Sequence, residues 1–178
     1  MKPLDSLRMI CALIGGLAAG IAEAHSASDA YLTLDLQSPS PIVRGQWDIA
    51  LRDLDFVLKL DDDGNGQITW EELRHHQEGI GKYALAHLKV LGDGTICPLT
   101  ITKQRVANHA DGAYAVVFFE ARCAVSMQRL TLDYGLFFDI DPSHRAIVVA
   151  HTGGDTATAL MSPQNARIDL KLIGHAPR

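Results

Sequence analysis

The stretch that decides the fold runs from Gly45 to Leu73 and reads GQWDIALRDLDFVLKLDDDGNGQITWEEL. Three patterns follow one another within it. Its opening belongs to IVRGQWDIAL (Ile42–Leu51), whose β-forming residues predict a strand. The period then changes in LRDLDFVLKL, where Leu54, Val57, Leu58 and Leu60 lie near one helical face. Asp61 to Glu72 is acidic and glycine-bearing. Beyond that stretch Trp70, Leu73, Ile80, Ala84, Leu88 and Leu91 repeat at helical spacing. The prediction is a strand that feeds a helix–loop–helix insertion over about residues 52–91. Gly79 and Gly81 weaken its second helix by about 1 kcal/mol each relative to alanine, and offer a place for a bend.

Outward from this insertion the chain reads as β. On the N-terminal side AYLTLDLQ (Ala30–Gln37) is a strand, broken from Ile42 by SPSP, and the two strands suit a hairpin. On the C-terminal side PLTITKQRVA, GAYAVVFFEARC, RLTLDYGLFFDI, AIVVAHTGG, ATALMS and ARIDLKLIG are strand-length runs. The turn signals HADG, DPSH, GGD and SPQN separate them. The expected class is α+β, an antiparallel β-sandwich-like domain or barrel carrying an inserted helical hairpin. One β-rich domain over residues 25–178 accounts for the mature chain.

The twelve residues Asp61–Glu72 have the spacing of a metal cage. Asp61, Asp63 and Asn65 occupy positions 1, 3 and 5, Gly66 position 6, Gln67 position 7, Ile68 position 8, Thr69 position 9 and Glu72 position 12. Calcium takes six to eight oxygens at roughly 2.3–2.6 Å. The alternating side chains of Asp61, Asp63 and Asn65 converge, Gly66 makes the sharp turn, and Gln67 offers its backbone carbonyl. Thr69 would act directly or through a water, and Glu72 would close the site with both oxygens. Ile68 would point into the core. The alternative is a solvated acidic turn, in which these carboxylates would repel one another with no cation between them. Magnesium suits a bidentate glutamate and a seven-oxygen cage less well than calcium. The residues resemble an EF-hand. EF-hands usually come in pairs, and this chain shows no second loop. LDYGLFFDIDPSH contains Asp139 and Asp141 but lacks the glycine and the closing glutamate, so it reads as a turn. A lone loop of this kind belongs to the weak affinity class, about 10⁻⁴–10⁻³ M, in which calcium acts mainly on structure.

The first residues set the compartment. Lys2 and Arg8 precede the uncharged run MICALIGGLAAGIA, and Ala22-Glu23-Ala24 fits a small-x-small cleavage site. Residues 1–24 therefore read as a signal peptide, with His25 as the mature N-terminus. The alternative, a membrane anchor, would need about 20 apolar residues. The expected location is periplasmic or secreted. Cys11 leaves with the signal. Cys97 and Cys123 remain, either as a disulfide, which an oxidising compartment favours, or as two buried thiols. A bridge would stabilise the fold by about 3.5 kcal/mol. The net charge of −5 and the lack of a basic stripe argue against a nucleic-acid partner.

Several of these stretches also carry a wider resemblance. AHSASDAYLTLDL, GQWDIALRDLDFVLKLDDDGNGQITWEEL, YALAHL, DGAYAVVFF and YGLFFDIDPSHRAIV resemble the extracytoplasmic head of HupE/UreJ-type membrane proteins, over roughly His25 to Leu172. The resemblance implies a β-rich head outside the cytoplasm that serves as a binding or accessory module, with a membrane-protein or cell-envelope partner. In that family a multi-helix membrane domain follows the head. This sequence runs to Arg178 without one, and is expected to be a stand-alone head or a truncated one, so transport is not carried over.

A second functional class rests on histidine. The free amine and imidazole of His25 could chelate nickel or copper, with His109, His144, His151 or His175 completing the site. His75 and His76 are adjacent on the second helix, and adjacent residues do not share a helix face. No two-histidine metal site is expected there. No enzymatic constellation stands out. Ser126, Ser143 and Ser162 lack a glycine-rich elbow, Asp53 and Asp55 read as capping or solvent-facing residues, and Trp47 and Trp70 read as core. The chain is not expected to be an enzyme.

Overall fold

The computed structural model describes residues 28–36, 40–124 and 127–171. The expected signal peptide, His25 and His175 lie outside the described residues, as does Ser126. The described chain is an α+β fold of two sheets and two helices. Strands β1 (Asp29–Leu36) and β2 (Ile42–Ala50) pair as the expected antiparallel hairpin. Helix α1 (Leu51–Leu58) follows β2 without a break, and α2 (Trp70–Ala86) follows the acidic loop. Then come β3 (Leu88–Gly92), β4 (Thr95–Ile96), β5 (Leu99–His109), β6 (Gly112–Arg122), β7 (Arg129–Tyr134), β8 (Arg145–Thr152), β9 (Asp155–Met161) and β10 (Arg167–Lys171).

The strands form a six-stranded sheet in the order β5-β6-β2-β1-β8-β9 and a four-stranded sheet in the order β10-β7-β3-β4. Alternation along the strands builds the core between them. Leu32, Leu34, Trp47, Val117, Phe119 and Val148 of the larger sheet share one cluster with Val90, Leu130 and Leu132 of the smaller. Gly45 on β2 is required by this packing, because a Cβ there would lie 2.1 Å from the ring of Phe119. The Cys97–Cys123 disulfide is formed, with Cα atoms 4.7 Å apart. Cys97 follows β4 of the smaller sheet and Cys123 follows β6 of the larger, so the bridge ties the sheets together. Among the described residues, no helix is long and apolar enough to cross a membrane.

Three expectations are corrected. The helical period does not carry through Leu88 and Leu91: α2 ends at Ala86, and these leucines lie in β3, paired with β7. Both periodicities place them inside, and the ladder to β7 decides between them. The sandwich is not antiparallel throughout, since β1 runs parallel to β8. Trp47 is fully buried, but Trp70, in the first turn of α2, is 65% exposed. Gly81 does more than weaken α2. A Cβ there would lie 2.4 Å from Cδ1 of Ile101 on β5, so the glycine lets the helix sit close against the edge strand.

Candidate metal centre

The loop hangs between two helices that are fixed to the core by different means. Leu54 of α1 and Leu60 just after it are fully buried. Lys59 ends α1 in the left-handed conformation (φ 55°), and its N–H donates to the Asp55 carbonyl. The Asp55 carboxylate then accepts the N–H of Asp61 at 3.1 Å, which sets where the loop begins. At the other end Thr69 and Glu72 form a capping box. The N–H and hydroxyl of Thr69 both donate to Glu72 Oε2 at 2.7 Å, and the N–H of Glu72 donates back to Thr69 Oγ1. Ile68 packs against the core, as its position in the loop predicts.

Inside the loop the backbone holds the carboxylates. The N–H of Gly66 donates to Asp61 Oδ2 at 2.7 Å, and that of Asn65 donates to Oδ1 of both Asp61 and Asp63 at 3.1 Å. Asn65 Nδ2 donates to Asp63 Oδ2 at 2.8 Å, and the N–H of Gln67 to Asn65 Oδ1 at 2.8 Å. Gly64 and Gly66 take positive φ, 70° and 82°, which glycine adopts without strain. The N–H of Asp62 reaches across to Glu72 Oε1 at 2.9 Å.

This folding brings Asp61, Asp63 and Glu72 together: one carboxylate oxygen of each lies within 4.8 Å of the others. Asn65 stands beside Asp63. Thr69 is directed elsewhere, since its hydroxyl is engaged with Glu72 as a helix cap. Gln67 is exposed. The donor set is all oxygen and anionic, which fits a hard divalent cation. Hydrogen bonds from the Gly66 backbone hold the Asp61 carboxyl below the usual carboxylate range, and those from Thr69 do the same for Glu72. Both stay ionised at neutral pH and available to a cation.

The position between them brings a correction. Asp62 turns outward and meets both histidines of α2. His75 Nδ1 lies 3.0 Å from Asp62 Oδ2, and His76 Nε2 lies 2.9 Å from Asp62 Oδ1. Neighbours about 100° apart around a helix converge here because they offer different nitrogens. His75 uses the one near its backbone and His76 the one at its tip. The remaining histidine candidates are dispersed. His109 bonds Asp48, stacks on Tyr31 and meets Tyr114 at a tilt, and His151 Nδ1 bonds Thr156.

His144 belongs to a second polar cluster that the sequence did not reveal. It is fully buried. Its Nε2 lies 2.8 Å from the Tyr134 hydroxyl and its Nδ1 lies 2.7 Å from Ser28 Oγ, whose own proton goes to Asp53 Oδ2 at 2.8 Å. One set of directions satisfies every group. Tyr134 donates to a neutral imidazole, the imidazole Nδ1–H donates to Ser28, and Ser28 donates to Asp53. Burial pushes the His144 pKa down to about 4, and burial raises that of Asp53. Asp53 is therefore neither a cap nor a solvent-facing residue. The Ser28 hydroxyl is oriented away from the imidazole, the reverse of a serine activated by histidine. Phe137, at φ 59°, sets its ring perpendicular to that of His144, and with Ser28, Asp53 and Phe56 it lines a cleft of about 360 Å³.

Compared with protein-family models the chain matches none, and no curated protein is significantly similar to it.

Proposed function

We propose that this chain is a calcium-binding module in which one EF-hand-like loop binds Ca²⁺ mainly for structure. The observation that carries this reading is the convergence of the Asp61, Asp63 and Glu72 oxygens on a loop bracketed by two core-anchored helices. Calcium there would lock α1 to α2 and neutralise carboxylates that otherwise repel. Asn65 and the carbonyl of Gln67 would complete the oxygen set, with Thr69 acting through a water. The Cys97–Cys123 bridge supports an oxidising compartment, and the N-terminal pattern favours export to the periplasm or beyond. The resemblance to HupE/UreJ-type heads makes an accessory role at a membrane protein or cell-envelope component the preferred reading.

Calorimetric titration of the metal-stripped chain with Ca²⁺ tests this. The expected result is one calcium per chain with weak affinity, about 10⁻⁴–10⁻³ M, lost in Asp61→Ala. Equal melting of Asp61→Ala and the parent chain in calcium buffer would sink the reading.

A further inference from the structure

We propose that Asp62, His75 and His76 form a second metal site, for a divalent transition ion of the zinc type, back to back with the calcium loop. The ligand atoms of the three side chains all lie within 4.8 Å of one another. Two imidazole nitrogens and one carboxylate oxygen make a borderline donor set, which zinc or cobalt takes and calcium does not. A tetrahedral ion with bonds of about 2.0–2.1 Å would hold its donors roughly 3.3 Å apart. The two histidine–carboxylate separations, 3.0 Å to Asp62 Oδ2 and 2.9 Å to Asp62 Oδ1, are already close to that, each to a different oxygen. The remaining adjustment falls on His75, whose side chain is 74% exposed and free to turn. The fourth position would face solvent, open to water or to a ligand from another molecule.

The loop presets this site. The N–H of Asp62 is held by Glu72 and its carboxylate meets His75 and His76, while Asp61 and Asp63 group with Glu72. Five carboxylates between Asp61 and Glu72 (with Glu71 the fifth) give the region a negative potential that draws cations. The two sites share no ligand, so this proposal goes beyond the calcium reading and does not rest on it.

The test is titration of the full chain with Co²⁺ in the presence of excess Ca²⁺, followed by visible absorption and then by displacement with Zn²⁺. One Co²⁺ per chain is expected, displaced by zinc. His75→Ala and His76→Ala should each weaken binding by at least the ~10–100-fold that loss of a supporting group costs, and the double variant should abolish it. His25→Ala and Asp61→Ala should leave the cobalt spectrum in place. Survival of the spectrum in Asp61→Ala separates this site from the calcium loop. Retention of the parent melting curve by the double variant, measured without transition metal, shows that its fold is intact. Cobalt binding that persists in the double variant, or that disappears with His25 alone, would overturn the proposal. So would the absence of saturable binding below about 100 μM metal.

Discussion

The acidic loop and the buried chain around His144 solve the same problem in opposite ways. Each gathers polar groups that would be costly if left without partners. The loop keeps its charges near water, and backbone N–H groups from Gly66, Asn65 and Thr69 hold them. The other cluster removes His144 from water and keeps it neutral, passing hydrogen bonds from Tyr134 through the ring and Ser28 to Asp53. On the proposed reading, charge would be added to the first as a cation. Adding it to the second is costly, because a proton on His144 would sit fully buried. The two regions should therefore respond to different agents, the loop to metal and the buried chain to acid.

The largest effect should come from cutting the buried chain. His144→Ala leaves Ser28 and Tyr134 without their partner and opens a void beneath Phe137. The expected loss is about 3 kcal/mol, from unsatisfied buried groups and a cavity together. It should appear in urea unfolding equally with and without calcium. A loss under about 0.5 kcal/mol, the range of ordinary surface changes, would show that the chain of hydrogen bonds contributes nothing.

Acid should produce a similar loss without mutation. The folded pKa of His144 lies near 4, below the ordinary value of 6.5. A depressed histidine binds its proton more readily when unfolded. Its stability contribution is therefore full above pH 6.5 and falls as pH drops toward 4, by up to about 3 kcal/mol. The loop behaves differently over that window. Asp61 and Glu72 are held below the usual carboxylate range, so they remain ionised and lose their contribution only at lower pH. Melting at pH 7 and pH 5 should separate the regions: the parent chain loses stability, whereas His144→Leu should show a much smaller change.

The same contrast explains what could be read from the sequence. The loop's candidate ligands fall at fixed spacing within twelve consecutive positions, so the convergence of Asp61, Asp63 and Glu72 could be expected in advance, with the helices on either side. The buried chain is assembled from residues 25 and 116 positions apart, Ser28 with Asp53 and Ser28 with His144. No local pattern marks such a set, and Asp53 looked like a surface residue because its partners come from β1's approach and from the turn before β8. The reading of β3 failed for a related reason. Leu88 and Leu91 suit a helix as well as a strand, and only the pairing with β7, some forty residues downstream, decides. The pairing of His75 with Asp62 was missed because helical spacing was counted between Cα positions, without allowing for which ring nitrogen each histidine presents.

Calcium itself should have a moderate effect. At ten to one hundred times a weak dissociation constant, mass action stabilises the folded chain by about 1.4–2.7 kcal/mol. This should be seen as a calcium-dependent rise in melting temperature. Glu72→Gln should lose the rise while leaving the His144-dependent acid response intact. A rise that survives in both Glu72→Gln and Asp61→Ala would place the calcium effect outside the loop.

The smallest effect tests whether the loop's geometry depends on its helix cap. Thr69 stands at the N-cap of α2, accepting from the Glu72 N–H while its own N–H and hydroxyl donate to the Glu72 carboxylate. Thr69→Ala removes the hydroxyl but keeps the backbone donor, so about 1 kcal/mol of stability should be lost. Thr69→Ser should restore most of it, because serine caps equally well. The informative comparison is calcium affinity. If Thr69 is only a cap, alanine frees Glu72 of one hydrogen bond and leaves the three carboxylates in place, so affinity should change little. If affinity instead falls about tenfold, Thr69 acts on the ion directly or through a water. Calorimetry on Thr69→Ala and Thr69→Ser distinguishes these outcomes, because serine would rescue both quantities in the second case and stability alone in the first.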